Sequence, residues 1–130
     1  MTHLVTMDEV RKARFDIGDD KAPGPDGYSA KFFKESKGII GEETFKAIID
    51  FFNNGRLLKE VNATVIALVS KVEVPLRVSD FKPISCCNVL YKCISKIIAN
   101  RIVGCLVDLV DESQTAFMPR RWISDNVLLA

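Results

Sequence analysis

The spacing of residues near the start of the chain is that of a helix. Four residues recur at helical spacing and would share one face: Val10, Ala13, Arg14 and Ile17. Thr6-Met7-Asp8-Glu9 precedes them and fits a capping box, in which Thr6 caps the helix and Glu9 reaches back. The pattern predicts a helix over about residues 7–17 that stops at Gly18.

Two further helices follow in the first half of the chain. Ser29 is placed to cap a short one. After Gly38, a longer helix is predicted over about residues 42–52, ending at Asn53-Asn54-Gly55. Its core-facing positions fall at i, i+3, i+4 and i+7: Phe45, Ile48, Ile49 and Phe52.

The apolar pattern changes period in the middle of the chain. Residues 64–69 are rich in β-branched side chains and are apolar on both faces, which predicts a strand covered on both sides. A turn containing Pro75 follows, and the chain returns through 78–81 to Lys82. We therefore predict a β-hairpin over about residues 62–85 with Lys71 on one arm and Lys82 on the other.

The longest helical pattern covers about residues 88–110. Its apolar stripe consists of Leu90, Ile94, Ile97, Ile98, Cys105, Leu106 and Leu109. Lys92 and Lys96 lie four residues apart on another face, and Arg101 follows them. These three cations fit either a solvated helix face or a contact with a nucleic-acid backbone.

A loop rich in proline and glycine, KAPGPDG at residues 21–27, separates the first two helices. Its composition excludes helix and central strand. The loop is either a connecting turn or a segment whose backbone N–H groups approach phosphate, although it lacks the spacing of a nucleotide P-loop.

Composition restricts the functional classes. The chain has 130 residues, of which 48% are hydrophobic and 27% charged, which is typical of one globular domain. Its net charge of +1 is unlike that of a dedicated, strongly basic nucleic-acid-binding domain. Its four cysteines form no CxxC pair and His3 is remote, so we predict no metal site and reduced thiols in an intracellular protein. No apolar run reaches the ~20 residues of a membrane span, so no membrane partner is expected.

Five segments in order together resemble the reverse transcriptase of plant non-LTR (LINE-type) retrotransposons. They are KAPGPDG (21–27), NATVIALVSK (62–71), DFKPISCCNVLYKCISKIIANR (80–101), QTAF (114–117) and ISDNVLLA (123–130). The resemblance implies an α+β fold, that of a truncated right-hand polymerase with a fingers β-hairpin, several helices and the start of the palm. One incomplete domain is then expected over residues 1–130: a helical fingers part (1–60), the hairpin (61–85), and the long helix with the palm entry (86–130).

The resemblance also implies an activity and its cofactors. The activity is RNA-directed DNA synthesis, with an RNA template, a DNA primer, dNTP and two Mg²⁺ ions. Lys71 and Lys82 then match positions that bind the triphosphate, and Gln114, Phe117 and Arg121 match positions near template and nucleotide. A nuclear location follows from the resemblance alone.

The sequence departs from the family pattern at several positions. Ser70 stands where proline is usual, Lys82 replaces arginine, and Arg120 replaces glycine. No acidic pair follows a strand-like apolar run; Gly18-Asp19-Asp20 resembles a polymerase GDD signature but follows a predicted helix. We therefore assign no catalytic residue and expect the chain, without palm and thumb, not to polymerise. Two alternatives remain open: a module that binds RNA or an RNA–DNA hybrid, and a non-functional remnant of a decayed element.

Overall fold

The computed structural model describes residues 4–109, and the side chains of residues 4–106. The elements in order are α1 (Met7–Phe15), α2 (Ala30–Glu35), α3 (Lys37–Asn54), β1 (Thr64–Ser70), a 3₁₀ turn (Val78–Asp80), β2 (Phe81–Cys87) and α4 (Val89–Leu109). The described residues therefore form four α-helices and one two-stranded antiparallel sheet. The predicted α+β class is confirmed. Within residues 4–109, no helix combines the length and the apolar character needed to cross a bilayer.

The capping box at the start of α1 is confirmed. The Glu9 backbone N–H donates to Thr6 Oγ1 at 3.3 Å, and Glu9 Oε2 accepts the Thr6 N–H at 2.9 Å. The helix ends two residues earlier than predicted, with Asp16 as its C-cap. Ile17 is nevertheless buried, so the predicted inner face of α1 is correct throughout.

The boundaries of α2 and α3 show which local signals decide a helix. Ser29 caps α2 as predicted, since its Oγ accepts the Phe32 N–H at 3.3 Å. The predicted start of α3 was too late: α3 begins at Lys37 because the Ser36 carbonyl accepts the Ile40 N–H at 3.0 Å and carries the helix through Gly38. The predicted stop at Gly55 is confirmed, with a left-handed φ of 68°.

The core lies where the helices meet. Its buried apolar members are Val5, Val10, Ala13, Ile17, Ala30, Phe33, Ile48, Val89, Cys93, Ile94 and Ile97. Phe45, Ile49 and Phe52 pack against this cluster, as the spacing in α3 predicts. On α4, Ile98 was wrongly placed in the inner stripe, because it is 38% exposed, whereas Cys93 is fully buried.

The predicted hairpin is present, but its surroundings differ from the prediction. Strands β1 and β2 pair in antiparallel register from Thr64 opposite Cys87 to Ser70 opposite Phe81. The prediction that both faces of β1 are covered is wrong for the described part of the chain: Val65 is 50% and Ile66 65% exposed, although they point to opposite faces. The continuous apolar run shows that both faces of β1 are apolar, but it does not show what covers them. Residues 78–80 also form a 3₁₀ turn instead of strand, because the carboxylate of Asp80 binds the backbone of the turn.

Candidate functional site

The register of the hairpin brings Lys71 and Lys82 to the same end of the sheet. Lys82 lies directly opposite Val69, and Lys71 follows Val69 by two residues. The Lys71 N–H donates to the Asp80 carbonyl at 2.7 Å, which continues the pairing one step beyond β1. Its ammonium Nζ donates to the Ser79 carbonyl at 2.9 Å. Both lysines are exposed, so their positive charges are accessible at this end of the sheet.

The connection at this tip is organised by Asp80. Its Oδ2 accepts the N–H groups of Arg77 at 2.9 Å and Leu76 at 3.0 Å. The hydrogen bond from Arg77, followed by that from Leu76, holds the pKa of the Asp80 carboxyl below its ordinary value. The Asp80 carboxylate therefore holds the turn that contains Ser79, whose carbonyl accepts the hydrogen bond from the Lys71 ammonium.

The KAPGPDG loop is bound to the start of α4 by one buried side chain. Asn88 is 3% exposed; its Oδ1 accepts the Asp26 N–H at 3.2 Å and its Nδ2 donates to the Glu60 carbonyl at 2.8 Å. The next two N–H groups along the chain, those of Gly27 and Tyr28, donate to the Gly24 carbonyl and to the Asp26 carboxylate. Three successive N–H groups are thus occupied, which favours the structural turn over a phosphate cradle.

The three cations predicted on α4 are in three different environments. Arg101 forms an ion pair with Glu9, with Nε–Oε1 at 2.9 Å and Nη2–Oε2 at 3.0 Å, and so ties α4 to α1. That hydrogen bond from Arg101 is the main cause that lowers the pKa of Glu9 from 4.5 to about 2. Lys92 Nζ donates to the Ala22 carbonyl at 2.6 Å. Lys96 is half-buried and makes no ion pair or hydrogen bond with the described residues.

Lys92 and Lys96 face an open groove at the base of the hairpin. Its volume is about 470 Å³, and it lies between α4, the end of β2 and the turn after α1. Besides these two lysines, its polar lining includes Lys21, Asp16 and Tyr91. Sequence reasoning missed Lys21 and Tyr91, although Tyr91, Lys92, Ser95 and Lys96 at i, i+1, i+4 and i+5 signal one helix face.

The other predicted site residues and the predicted metal ions concern the palm side of the site. Gln114, Phe117 and Arg121 lie outside the described residues. Between residues 4 and 109 the structure gathers no group of three or more His, Cys, Asp or Glu side chains that could hold a metal ion. These residues therefore do not offer a site for the Mg²⁺ ions that the resemblance implies. Asp19 of the GDD-like segment forms an ion pair with Lys34 at 2.6 Å.

Comparison with known proteins relates the chain to transposable elements. No protein-family model matches it. Over 125 residues, or 96% of this chain, it is 27% identical to the "Transposon TX1 uncharacterized 149 kDa protein" of Xenopus laevis. Over 125 residues, or 95% of this chain, it is 27% identical to the "Retrovirus-related Pol polyprotein from type-1 retrotransposable element R2" of Bradysia coprophila.

The matches cover a small part of those proteins. They span 10% of the length of the first relative and 13% of the second. Both are proteins of transposable elements, and the chain is accordingly retrotransposon-related. The more specific predictions, a plant-type element and a place in the fingers of its polymerase, are not tested by these comparisons.

Proposed function

We propose that this chain is part of the fingers region of a reverse transcriptase from a non-LTR retrotransposon. In this role, Lys71 and Lys82 bind the phosphates of the incoming nucleotide. The observation that carries the proposal is the hairpin register, which brings both lysines to one exposed end of the sheet. The relationship to retrotransposon proteins supports it.

The chemistry of the two lysines defines what they contribute. A triphosphate carries several negative charges, and two ammonium groups at one end of the paired strands attract it by charge. Lys82 binds as a point charge, because an ammonium cannot form the planar, bidentate contact of a guanidinium. Since both side chains are exposed, the attraction weakens as salt rises.

The remaining parts of the reaction belong to the complete enzyme. There, an RNA template, a DNA primer and two Mg²⁺ ions held by palm carboxylates would complete the site, as the family resemblance implies. Two such ions stabilise both the attacking and the leaving oxygen. We assign no step of nucleotide addition to residues 4–109. The part of these residues is to position the triphosphate and neutralise its charge. From the family resemblance we also propose a nuclear location.

The proposal is tested by titrating the 130-residue chain with dGTP, dGMP and deoxyguanosine while recording amide NMR spectra. We expect affinity to fall in that order and the shifts to centre on the hairpin tip. Lys71→Gln and Lys82→Gln should each weaken dGTP binding, whereas Lys46→Gln, an exposed lysine on α3, serves as the matched control.

Two results would contradict this role. One is equal affinity for dGTP and deoxyguanosine. The other is a loss of dGTP binding in Lys46→Gln as large as that in the two hairpin variants, because binding would then follow net charge and not the hairpin.

A further inference from the structure

We infer that the outer edge of β1 pairs with β1 of a second copy of the chain, so that two hairpins join into one four-stranded antiparallel sheet. Within residues 4–109 the sheet consists of β1 and β2 alone, and one edge of β1 has no neighbouring strand there. The inference uses neither Lys71 nor Lys82, and it goes beyond the function proposed above.

The sequence of β1 reads nearly the same in both directions. It is Thr-Val-Ile-Ala-Leu-Val-Ser, with Ala67 at its centre. When two such strands run in opposite directions about Ala67, each residue meets one of its own chemical kind. The opposed residues are Thr64 and Ser70, Val65 and Val69, Ile66 and Leu68, and the two copies of Ala67. A two-fold dimer requires such a self-complementary surface, in which residue i contacts residue j and j contacts i.

The backbone of β1 presents matching groups at this edge. The Lys71 N–H points toward β2, because it donates to the Asp80 carbonyl at 2.7 Å. Successive residues of an antiparallel strand direct their N–H and C=O groups to alternate sides. The residues whose groups point away from β2 are therefore Thr64, Ile66, Leu68 and Ser70. Pairing about Ala67 places these even-numbered residues opposite one another, so donors and acceptors meet along the whole strand.

The side chains of β1 supply apolar surface on both faces of the sheet. The exposed fractions are 50% for Val65, 65% for Ile66, 63% for Leu68 and 47% for Val69. Opposed residues of paired strands share a face and interact. In the dimer, Ile66 and Leu68 of both copies would therefore form one apolar cluster, and the four valines another. Since β1 contains no charged residue, the pairing opposes no like charges.

The outer edge of β2 ends the assembly at two copies. Pro83 lies opposite Leu68, whose backbone groups point away from the hairpin, so the nitrogen of Pro83 also faces outward. Proline has no N–H, and the outer edge of β2 therefore lacks a donor at its centre. A third hairpin finds no complete strand edge there, which favours a closed dimer over a fibre.

The first test measures the mass of the 130-residue chain by sedimentation equilibrium. We expect a dimer of twice the chain mass of 14.5 kDa. Ile66→Lys with Leu68→Lys should abolish the dimer, because the pairing places the new charges of the two copies side by side. Mixing this variant with Ile66→Glu plus Leu68→Glu should restore it. Val74→Lys with Leu76→Lys, at exposed positions outside β1, adds the same charge and should leave the dimer unchanged.

A cysteine cross-link tests the register. The two copies of Ala67 would form a pair without hydrogen bonds, in which the Cα atoms lie about 4.5 Å apart. This separation is within the range of a disulfide, so Ala67→Cys should form a covalent dimer on mild oxidation. Ser70→Cys is the control, because its two copies would lie about 20 Å apart along the strands. The wild type, with its four native cysteines, gives the background.

Hydrogen exchange shows which segment covers the edge. The amides of Ile66 and Leu68 should be protected in the wild type and exchange rapidly in the charged variant, whereas the Ala67 amide, bonded within the hairpin, should be protected in both. Circular dichroism verifies that each variant is folded.

A monomeric wild type would overturn the inference. If its Ile66 and Leu68 amides were protected, another segment of the same chain would cover the edge. If they exchanged freely, nothing would. Loss of the dimer in Val74→Lys with Leu76→Lys, or a cross-link in Ser70→Cys as efficient as that in Ala67→Cys, would also overturn it.

Discussion

The contact between the KAPGPDG loop and the start of α4 predicts that Gly24 tolerates no side chain. A Cβ at this position would lie 2.1 Å from Asn88 Oδ1, 2.3 Å from Asn88 N and 2.5 Å from the carbonyl carbon of Cys87. Two of these three atoms belong to the backbone, so they cannot move aside as a side chain could. Gly24→Ala should therefore push the loop away from α4.

The cost can be worked out from the contacts that this displacement breaks. The hydrogen bond from the Asp26 N–H to Asn88 contributes about 1 kcal/mol, and the one from the Lys92 ammonium to the Ala22 carbonyl about 1.5–3 kcal/mol. Lys92 is only half-buried, so the lower end applies to it. We expect Gly24→Ala to lower the free energy of unfolding by about 2–3 kcal/mol, a large part of the 5–15 kcal/mol typical of a domain.

The assay is urea unfolding followed by circular dichroism, and the chain offers a matched control. Gly104 lies inside α4, and its Cβ would meet no described atom within 4 Å. Gly104→Ala should therefore stabilise the protein by up to about 1 kcal/mol, because alanine is the better helix former. Adding Asn88→Ala to Gly24→Ala should not restore stability, since the backbone clash remains. A Gly24→Ala variant within about 0.5 kcal/mol of the wild type would refute this account of the loop.

Three other predictions concern stability and reactivity. The pKa of Glu9 is lowered to about 2, so its ion pair contributes stability above the ordinary pKa of 4.5, which is lost as pH falls through 2. The difference in unfolding free energy between wild type and Glu9→Gln should therefore shrink over that pH range, whereas Glu35→Gln, at an exposed pair, should show almost no difference at any pH. Ile48→Ala should cost about 2–5 kcal/mol in urea unfolding, whereas Ile39→Ala, at a position 83% exposed, should be nearly neutral. Burial raises the pKa of the Cys93 thiol to about 11, so it should be the last cysteine of residues 4–106 to react with iodoacetamide, as mass spectrometry can follow.

Several features of this fold follow from short stretches of sequence. The Thr6–Glu9 capping box, the Ser29 cap and the stop at Gly55 were all predictable, because each depends on atoms within three or four residues of one another. The hairpin was predictable for a similar reason, since its β-branched run and its proline-containing turn are adjacent in the chain. The start of α3 was missed because a serine carbonyl, which carries no sequence signal of its own, began the helix at Lys37.

The environment of each candidate side chain was decided by tertiary structure. Lys92 and Lys96 look alike in sequence, yet Lys92 binds a carbonyl 70 residues away and Lys96 makes no such contact with the described residues. Arg101 is paired with Glu9 across 92 residues. The exposure of both faces of β1 could not be predicted either, because an apolar run gives the polarity of each face and not the segments that pack against it. Helix caps depend on local atoms, whereas the surroundings of a lysine depend on how distant segments pack.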